Sequence, residues 1–315
     1  MSLLQRFFGL KKQPARAALA GAVSVDLFDE EFLRKLQSLS LMSKTSATGM
    51  RRGERRSRKK GGGVEFADHR NYVPGDDIRF LDVGVYQRLG KLLLRLFEEE
   101  EDLSLYFLID NSASMGIHDS AKLNQAVKVT AALSYIGLAG LDRVGVCTLS
   151  DQLTARLPST RGKQRMFRIL RFLSDIKAEG KTDLGAAVRT FVVQNKRRGL
   201  VILLSDLFDP LGFEAGINAL RFSKFEPVVL HLSDQRDQGQ NLDGDLQIMD
   251  VESGTSREVS MTASLKERLV QATKARSTQV ARFCGSKGVP YFEVGSEVPF
   301  EDVVLAVLRK GGLVR

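Results

Sequence analysis

Three oxygen-bearing side chains follow an apolar segment in the pattern D-x-S-x-S: Asp110, Ser112 and Ser114. The preceding residues, 103–109, are apolar enough to form a buried strand, and a helical pattern follows the serines. Open α/β sheets bind ligands at the carboxyl edge of their strands, where these side chains would lie. Carboxylate and hydroxyl oxygens are the ligands that hard divalent cations prefer. The spacing therefore predicts a metal site.

Two later loops carry the ligand types that such a site still lacks. Thr182 lies in the turn before a predicted helix at residues 184–195, and Asp206 follows an apolar run that begins at residue 201. The predicted metal ligands are Asp110, Ser112, Ser114, Thr182 and Asp206. An alternative interpretation is that the two serines only cap the following helix and that Asp206 ends a strand in an ordinary turn.

The five residues resemble the metal-ion-dependent adhesion site of von Willebrand factor A domains, in which D-x-S-x-S, a later threonine and a later aspartate converge on one divalent ion. The resemblance extends from residue 103 to the C-terminus. It implies that the hydroxyls bind the ion directly and that the aspartates bind it directly or through water. With two carboxylate ligands only, Mg²⁺, or another divalent cation such as Mn²⁺ or Ca²⁺, stays electrophilic and accepts a carboxylate from a partner protein.

A second block lies upstream, at residues 61–102. It contains G-x-E-F-A-D-x-R-x-Y-x-P-G-D-D-x-R-x-L-D and L-x-R-x-F-E-E-E, and it resembles the segment before the A domain in the bacterial MoxR-associated family called domain of unknown function fifty-eight. Members often have Trp after the last aspartate of the first element, whereas this chain has Val83 there and no Trp at all. The resemblance implies a MoxR-type AAA+ ATPase as partner, with this chain as an adaptor in the assembly or maturation of other proteins.

Alternating strand and helix patterns predict an α/β fold with a doubly wound, mostly parallel sheet, similar to von Willebrand factor A domains. A small N-terminal β-rich satellite and a β-hairpin insertion complete the prediction. The predicted domains are an N-terminal helix and basic linker at 1–63, the satellite at 64–102, and the A-like domain at 103–315 with the hairpin near 246–261. The N-terminal helix is expected at residues 28–41 and the linker at 45–63. Within the satellite we expect strands and turns only.

The net charge of +9 is concentrated in one segment, residues 51–60, which contains seven Arg or Lys residues and one Glu. Clustered basic residues can neutralise nucleic-acid phosphates, so nucleic-acid binding is one interpretation. The segment has no interleaved aromatic residues, however, and the acidic run at residues 98–102 opposes it. A solvated loop that contacts this run or an acidic partner is the favoured interpretation.

Catalytic motifs are missing from the sequence. The three histidines, His69, His118 and His231, have no zinc-ligand spacing, and no phosphate-binding loop motif occurs. We therefore predict that the protein is not an enzyme. A metal-dependent hydrolase is the alternative, in which the same cation activates water and Asp183 or Asp209 acts as the general base.

Composition also predicts a location. Two cysteines without a disulfide framework indicate a reducing compartment. No apolar run is long enough to span a membrane, and the N-terminus does not match a signal peptide because its lysines follow the first apolar patch. Some members of the resembled family carry N-terminal membrane helices, and this sequence has no such segment, so we expect a cytoplasmic protein. Contact of residues 3–12 with a membrane surface is an alternative.

Overall fold

The computed structural model describes residues 21–49, 60–61, 65–98, 104–140, 142–238, 244–249 and 256–310. The chain divides into two compact units. The smaller unit is Lys44–Asp102 with Val314–Arg315, and the larger unit is Met1–Ser43 with Leu103–Leu313. The predicted membrane-surface segment at residues 3–12 lies outside the described residues. So does the predicted basic segment at 51–60, except for Lys60.

Helix α1 spans Glu30–Gly49 and begins with two acidic residues, which favour the positive end of the helix dipole. The predicted helix ended at residue 41, so the structure extends it by two turns. The first residues of the predicted linker, 45–49, are therefore helical. Residues 50–59, the part of the predicted linker whose composition favours turns, lie outside the described residues.

The smaller unit contains a three-stranded antiparallel sheet. Its strands are β1 (Lys60–Gly61), β2 (Glu65–Asn71) and β3 (Leu93–Glu98), in the order β1-β3-β2. Between β2 and β3 the backbone N–H of Asp76 donates to the carbonyl of Val73, and Gly75 has a φ of 104°. Pro74-Gly75-Asp76 therefore forms a turn, as its composition favours, because glycine tolerates this φ without strain.

The prediction that this unit consists of strands and turns only is wrong. Helix α2 spans Val83–Leu89, within the segment expected to contain strands and turns. The carboxylate of Asp82 caps it by accepting the backbone N–H of Val85 at 3.1 Å, and Gly90 ends it with a φ of 63°. Two capping residues thus stabilise a seven-residue segment of low intrinsic helix propensity.

The larger unit is built on a six-stranded sheet formed by apolar runs of the sequence. Its strands in chain order are β4 (Ser104–Asp110), β5 (Arg143–Leu149), β6 (Leu153–Arg161), β7 (Leu200–Ser205), β8 (Glu226–Ser233) and β11 (Tyr291–Gly295). The strand order is β11-β8-β7-β4-β5-β6, and only β6 is antiparallel to its neighbour. The mixed α/β fold with a mostly parallel sheet is therefore confirmed.

Helices cover both faces of this sheet. They are α3 (Ile117–Ala139), α4 (Met166–Ser174), α5 (Leu184–Gln194), α6 (Glu214–Phe222), α7 (Ala263–Ser286) and α8 (Phe300–Lys310). On one face, Tyr106 and Leu108 of β4 pack in a core with α5, α6 and α7. On the other face, Leu105 meets Gly137 of α3, where an added Cβ would lie 3.2 Å from the Leu105 Cδ2 atom. This arrangement places the central strand β4 between two helical layers.

The predicted hairpin is present in the larger unit. Strands β9 (Gly244–Met249) and β10 (Ser256–Met261) pair antiparallel, with Ser256 opposite Met249. The residues that we expected to form its turn, Ser253-Gly254-Thr255, lie outside the described residues.

Candidate metal centre

The carboxyl edge of the large sheet carries two aspartates on neighbouring strands. Asp110 is the last residue of β4, and Asp206 directly follows β7, which pairs with β4 in parallel. Parallel neighbours end at the same edge, so the two carboxylates lie close enough for the charge of Asp206 to act on Asp110. Both residues are fully buried. The structure thus brings together the two acidic residues of the predicted site.

Backbone hydrogen bonds hold the Thr182 loop against the loop after β4. The Ala113 N–H donates to the Gly180 carbonyl at 3.1 Å, and the Glu179 N–H donates to the Asn111 carbonyl at 2.7 Å. Thr182 itself is buried. Its neighbour Asp183 donates its backbone N–H to the carbonyl of Ser150, which follows β5. Thr182 therefore belongs to the same cluster of loops as Asp110.

The Asp206 loop is joined to this cluster by another aspartate. Asp209 accepts the backbone N–H of Leu184 at 2.9 Å through one oxygen and that of Leu211 at 2.8 Å through the other. The first bond satisfies an otherwise unpaired N–H at the start of α5. Asp183 caps the same helix through the N–H of Ala186. The two aspartates considered as general bases for a hydrolase are thus hydrogen-bonded to the backbone.

The two serines of D-x-S-x-S do not cap a helix through their side chains. Their Oγ atoms lie 3.1 Å from each other, and the turn Ala113–Gly116 has no side-chain cap at Ser112. Gly116 precedes α3 and offers no side chain either. The alternative that these serines serve as helix caps is therefore wrong. Ser112 is fully buried and Ser114 is half-buried.

Among the described residues, the groups that donate hydrogen bonds to the carboxylate of Asp110 are neutral. One oxygen accepts the backbone N–H of Ser112 at 2.9 Å, and the other accepts the hydroxyl of Ser205 at 2.5 Å. Burial disfavours the charged form, and the nearby Asp206 disfavours it further, so together they raise the pKa of Asp110 to about 7. No positively charged group in the described part of the chain donates a hydrogen bond to the Asp110 carboxylate.

Asp206 differs because a lysine that the sequence analysis did not single out lies against it. The Lys122 Nζ atom is 2.7 Å from the Asp206 Oδ2 atom and 3.1 Å from an oxygen of Asp237. The other oxygen of Asp206 accepts the N–H of Phe208 at 3.2 Å. Burial lowers the pKa of Lys122, but the two carboxylates outweigh it and leave that pKa raised. Lys122 is thus a buried ammonium.

A sequence feature could have pointed to this lysine. The predicted helix at residues 120–139 is mostly apolar or small, yet it has a lysine in its first turn, beside Leu123 and Ala126, which are fully buried. A lysine on a helix that is apolar around most of its surface needs an acidic partner. Nothing in the sequence identifies Asp237, which lies 115 positions later in a short turn, Gln235–Gln238.

Strained backbone accompanies this ion pair. In the first turn of α3, His118, Asp119 and Ser120 have φ values of 55°, 58° and 58°, a left-handed conformation that costs on the order of 1–2 kcal/mol per residue. The turn after β8 stabilises it, because Arg236 donates to the His118 carbonyl at 2.8 Å and His118 lies 3.1 Å from Asp237. The first turn of α3 is therefore connected to the turn that follows β8.

The donor set fits a hard divalent cation. Asp206 and Asp237 share the ammonium of Lys122, whereas the buried carboxylate of Asp110 lies close enough to Asp206 to be affected by its negative charge. Across the described parts of the chain, no three His, Cys, Asp or Glu side chains converge as a metal-binding group. The serine and threonine hydroxyls would therefore have to supply the remaining ligands, as oxygen-preferring cations allow.

The three histidines each have a protein partner. His69 lies 2.9 Å from Asp82, His118 contacts Asp237, and His231 lies 2.8 Å from the Tyr291 hydroxyl. Burial, as the main cause, lowers the pKa of His231.

As far as the structure describes the chain, it has no helix that is both long enough and apolar enough to span a membrane.

The family of the chain follows from a match over most of its length. The family model described as "Protein of unknown function DUF58" matches residues 68–279. The chain belongs to the DUF58 family. The match includes both the β2-to-β3 segment of the smaller unit and the loops of the candidate metal centre. The family resemblance inferred from residues 61–102 is thereby confirmed, whereas the MoxR association and the resemblance to von Willebrand factor A domains stay predictions.

Relatives of this DUF58 chain include uncharacterized proteins of Mycobacterium tuberculosis and Mycobacterium bovis. Each is 27% identical over 310 residues, which is 96% of this chain and 98% of the relative. Among solved structures, BatB from Bacteroides thetaiotaomicron is 13% identical with a TM-score of 0.42, and the match covers 67% of this chain and 98% of BatB. An aerotolerance-related membrane protein from Bacteroides fragilis is 15% identical with a TM-score of 0.40, over 66% of this chain and 98% of that one. Similarity at this level carries no assignment of function.

Proposed function

We propose that this DUF58 protein is a metal-dependent protein–protein interaction module, in which the residues of the candidate metal centre hold a divalent cation. The observation that carries the proposal is the buried carboxylate of Asp110, which lies beside the charge of Asp206 and accepts hydrogen bonds from a backbone N–H and a serine hydroxyl. A buried charge is costly unless it is paired or coordinates a metal. A divalent cation would therefore remove the largest uncompensated charge of the site.

The carboxylates and the hydroxyls would contribute differently to binding the cation. Asp110 and Asp206 would supply negative charge, and the hydroxyls of Ser112, Ser114 and Thr182 would supply neutral oxygens. When bound, the cation offers an electrophilic position that a carboxylate of another protein can occupy. Ser205 orients Asp110 by donating to its carboxylate, and Asp209 fixes the start of α5, two residues after Thr182. These bonds reduce the entropy that the loops lose on binding.

The loop after β7 adds a surface for the partner. Phe208 is 44% exposed and Leu211 is 75% exposed, although both follow the buried Asp206 closely. The guanidinium of Arg276 lies 5.5 Å from the centre of the Phe208 ring. A partner that presents an acidic side chain next to apolar residues would match the metal centre, the cation Arg276 and this apolar rim.

We further propose that the partners are those implied by the family resemblance: a MoxR-type AAA+ ATPase, and a protein client that contributes the acidic residue. In this role the chain presents the client to the ATPase during assembly or maturation of other proteins. The cytoplasmic location expected from the sequence is part of this proposal. The candidate general bases Asp183 and Asp209 cap the backbone, so no observation favours the hydrolase alternative.

The experiment that tests the proposal is affinity purification of the full chain from its native cell, with and without a chelator. The Asp110→Asn variant removes the charge but preserves the size of the side chain, and we expect it to bind no divalent ion and to lose the partners that chelation also removes. Glu226→Gln is the matched control, because Glu226 is exposed at the opposite edge of the sheet. Equal recovery of partners by wild type, Asp110→Asn and chelated protein would contradict the proposal, provided that circular dichroism shows them all folded.

A further inference from the structure

The two aspartates of the candidate metal centre have different kinds of hydrogen-bond donors. Asp110 accepts hydrogen bonds from a backbone N–H and a hydroxyl, whereas Asp206 contacts the ammonium of Lys122. Both carboxylates are fully buried, and the side chain of Lys122 is only 2% exposed. Water therefore cannot screen the interaction of Lys122 with Asp206. Within the centre, Lys122 is a positive charge fixed to the protein chain.

The position of Lys122 gives it a second carboxylate, and this distinguishes it from a simple ion pair. Its Nζ atom is 3.1 Å from an oxygen of Asp237, in the turn that follows β8. Asp237 in turn contacts His118 in the left-handed turn of α3. The ammonium thus connects the loops after β7 and β8, as an ion that bridges two carboxylates would do.

A lysine and a divalent cation would compete for the same carboxylate. The Oδ2 atom of Asp206 is hydrogen-bonded to Lys122 and its Oδ1 atom to the N–H of Phe208, so neither oxygen is without a donor. A divalent ion that binds Asp206 must displace Lys122 or tolerate a positive charge within a few ångströms. Repulsion between cations at such distances is strong where water is excluded.

We propose that the Lys122 ammonium is a resident cation of this site, which competes with the divalent ion for Asp206 and thereby weakens metal binding. This inference rests on the proposed function, because it concerns the same metal. Lys122 is a positioning residue here: it orders Asp206 and Asp237 when no divalent ion is bound. Its presence makes the affinity of the centre for divalent ions lower than its carboxylates and hydroxyls alone would provide.

The test is a calorimetric titration of the purified full-length chain with Mg²⁺ and with Mn²⁺. In the Lys122→Met variant, which keeps a long unbranched side chain and removes the charge, we expect the divalent ion to bind at least about tenfold more tightly than in wild type. Lys128→Met is the matched control, since Lys128 lies on the same helix and is half-buried. It should leave metal affinity within about twofold of wild type.

A second variant addresses the risk that Lys122→Met does not fold. Lys122→Met combined with Asp237→Asn removes one positive and one negative charge, so the net charge of the cluster equals that of wild type. If Lys122 competes for Asp206, this double variant also binds the metal more tightly than wild type. If only net charge matters, its affinity equals that of wild type, and the inference is overturned.

The outcomes separate this inference from the proposed function. If wild type binds the metal and both Lys122 variants bind it no more tightly, the inference is wrong and the metal centre stands. If wild type binds no metal but the Lys122 variants do, the inference is supported and the metal-dependent function of the natural chain is wrong. If neither wild type nor any folded variant binds metal, both are wrong.

Discussion

The larger and the smaller unit contain ion pairs of almost equal length in opposite environments. The Lys122–Asp206 pair at 2.7 Å has side chains that are 2% and 0% exposed, whereas the Arg70–Asp76 pair at 2.6 Å has side chains that are 44% and 21% exposed. Water and salt screen the second pair, so it contributes little to stability. Neither partner of the first pair can be removed without leaving a buried charge. The comparison shows that burial, more than distance, determines how much an ion pair matters.

The pKa values of Asp76 and Asp82 in the smaller unit and of Asp110 in the larger unit shift in opposite directions. In the smaller unit the hydrogen bond from Arg70 lowers the pKa of Asp76, and the hydrogen bond from His69 lowers the pKa of Asp82. In the larger unit burial raises the pKa of Asp110. The partly exposed Asp76 and Asp82 each have a cationic or imidazole partner, whereas the donors to Asp110 in the described part of the chain are neutral. This difference is what makes Asp110, of these three, the natural position for a bound cation.

The largest effect on stability should follow removal of the buried ammonium. In metal-free protein at pH 7, Lys122→Met leaves Asp206 and Asp237 without their shared cation, and we expect it to lower the free energy of unfolding by about 3–5 kcal/mol. Urea unfolding followed by circular dichroism measures the change. Lys128→Met should stay within about 1 kcal/mol of wild type. Equal losses in the two variants would show that burial does not distinguish them and would break the comparison.

A pH effect of intermediate size should come from Asp110. Its folded pKa of about 7 lies above the unfolded value, so the folded state keeps its proton to higher pH. Its stabilising contribution is then complete below about pH 4 and is lost as the pH rises through about 7. In metal-free protein we expect the stability of wild type to fall relative to Asp110→Asn over this range, by on the order of 2–4 kcal/mol. Parallel stability curves for the two proteins would contradict this assignment.

The smallest effects should come from the smaller unit. Asp82→Ala removes the cap of α2 and the partner of His69, and we expect amide hydrogen exchange at residues 83–89 to become roughly fivefold faster. Arg70→Gln is the control in the same unit, and it should change neither this exchange nor the thermal midpoint measurably, because its ion pair is exposed. A larger effect for Arg70→Gln than for Asp82→Ala would reverse the expected order within this unit.

Sequence reasoning located most elements of the larger unit because their periodicity agrees with their burial. The run at residues 103–109 is apolar except for Ser104, and β4 is buried along its whole length between two parallel strands. Helix α4 keeps Met166, Ile169 and Leu170 on its buried face, because apolar residues three and four positions apart lie on the same side of a helix. In the smaller unit the same reasoning failed at α2, since Val83 and Gly84 disfavour a helix, whereas the caps at Asp82 and Gly90 and the burial of Val85 favour it.

The sequence by itself determined which side chains could bind a metal and at which edge of the sheet they would lie, because a parallel strand that ends in a polar residue presents it at the carboxyl edge. The tertiary structure decided how the charges there are balanced. Asp110 and Asp206 are equivalent in the sequence pattern, yet only Asp206 receives the ammonium of Lys122. That pairing joins residues 84 positions apart. It depends on how α3 packs against the sheet, and no local pattern encodes that packing.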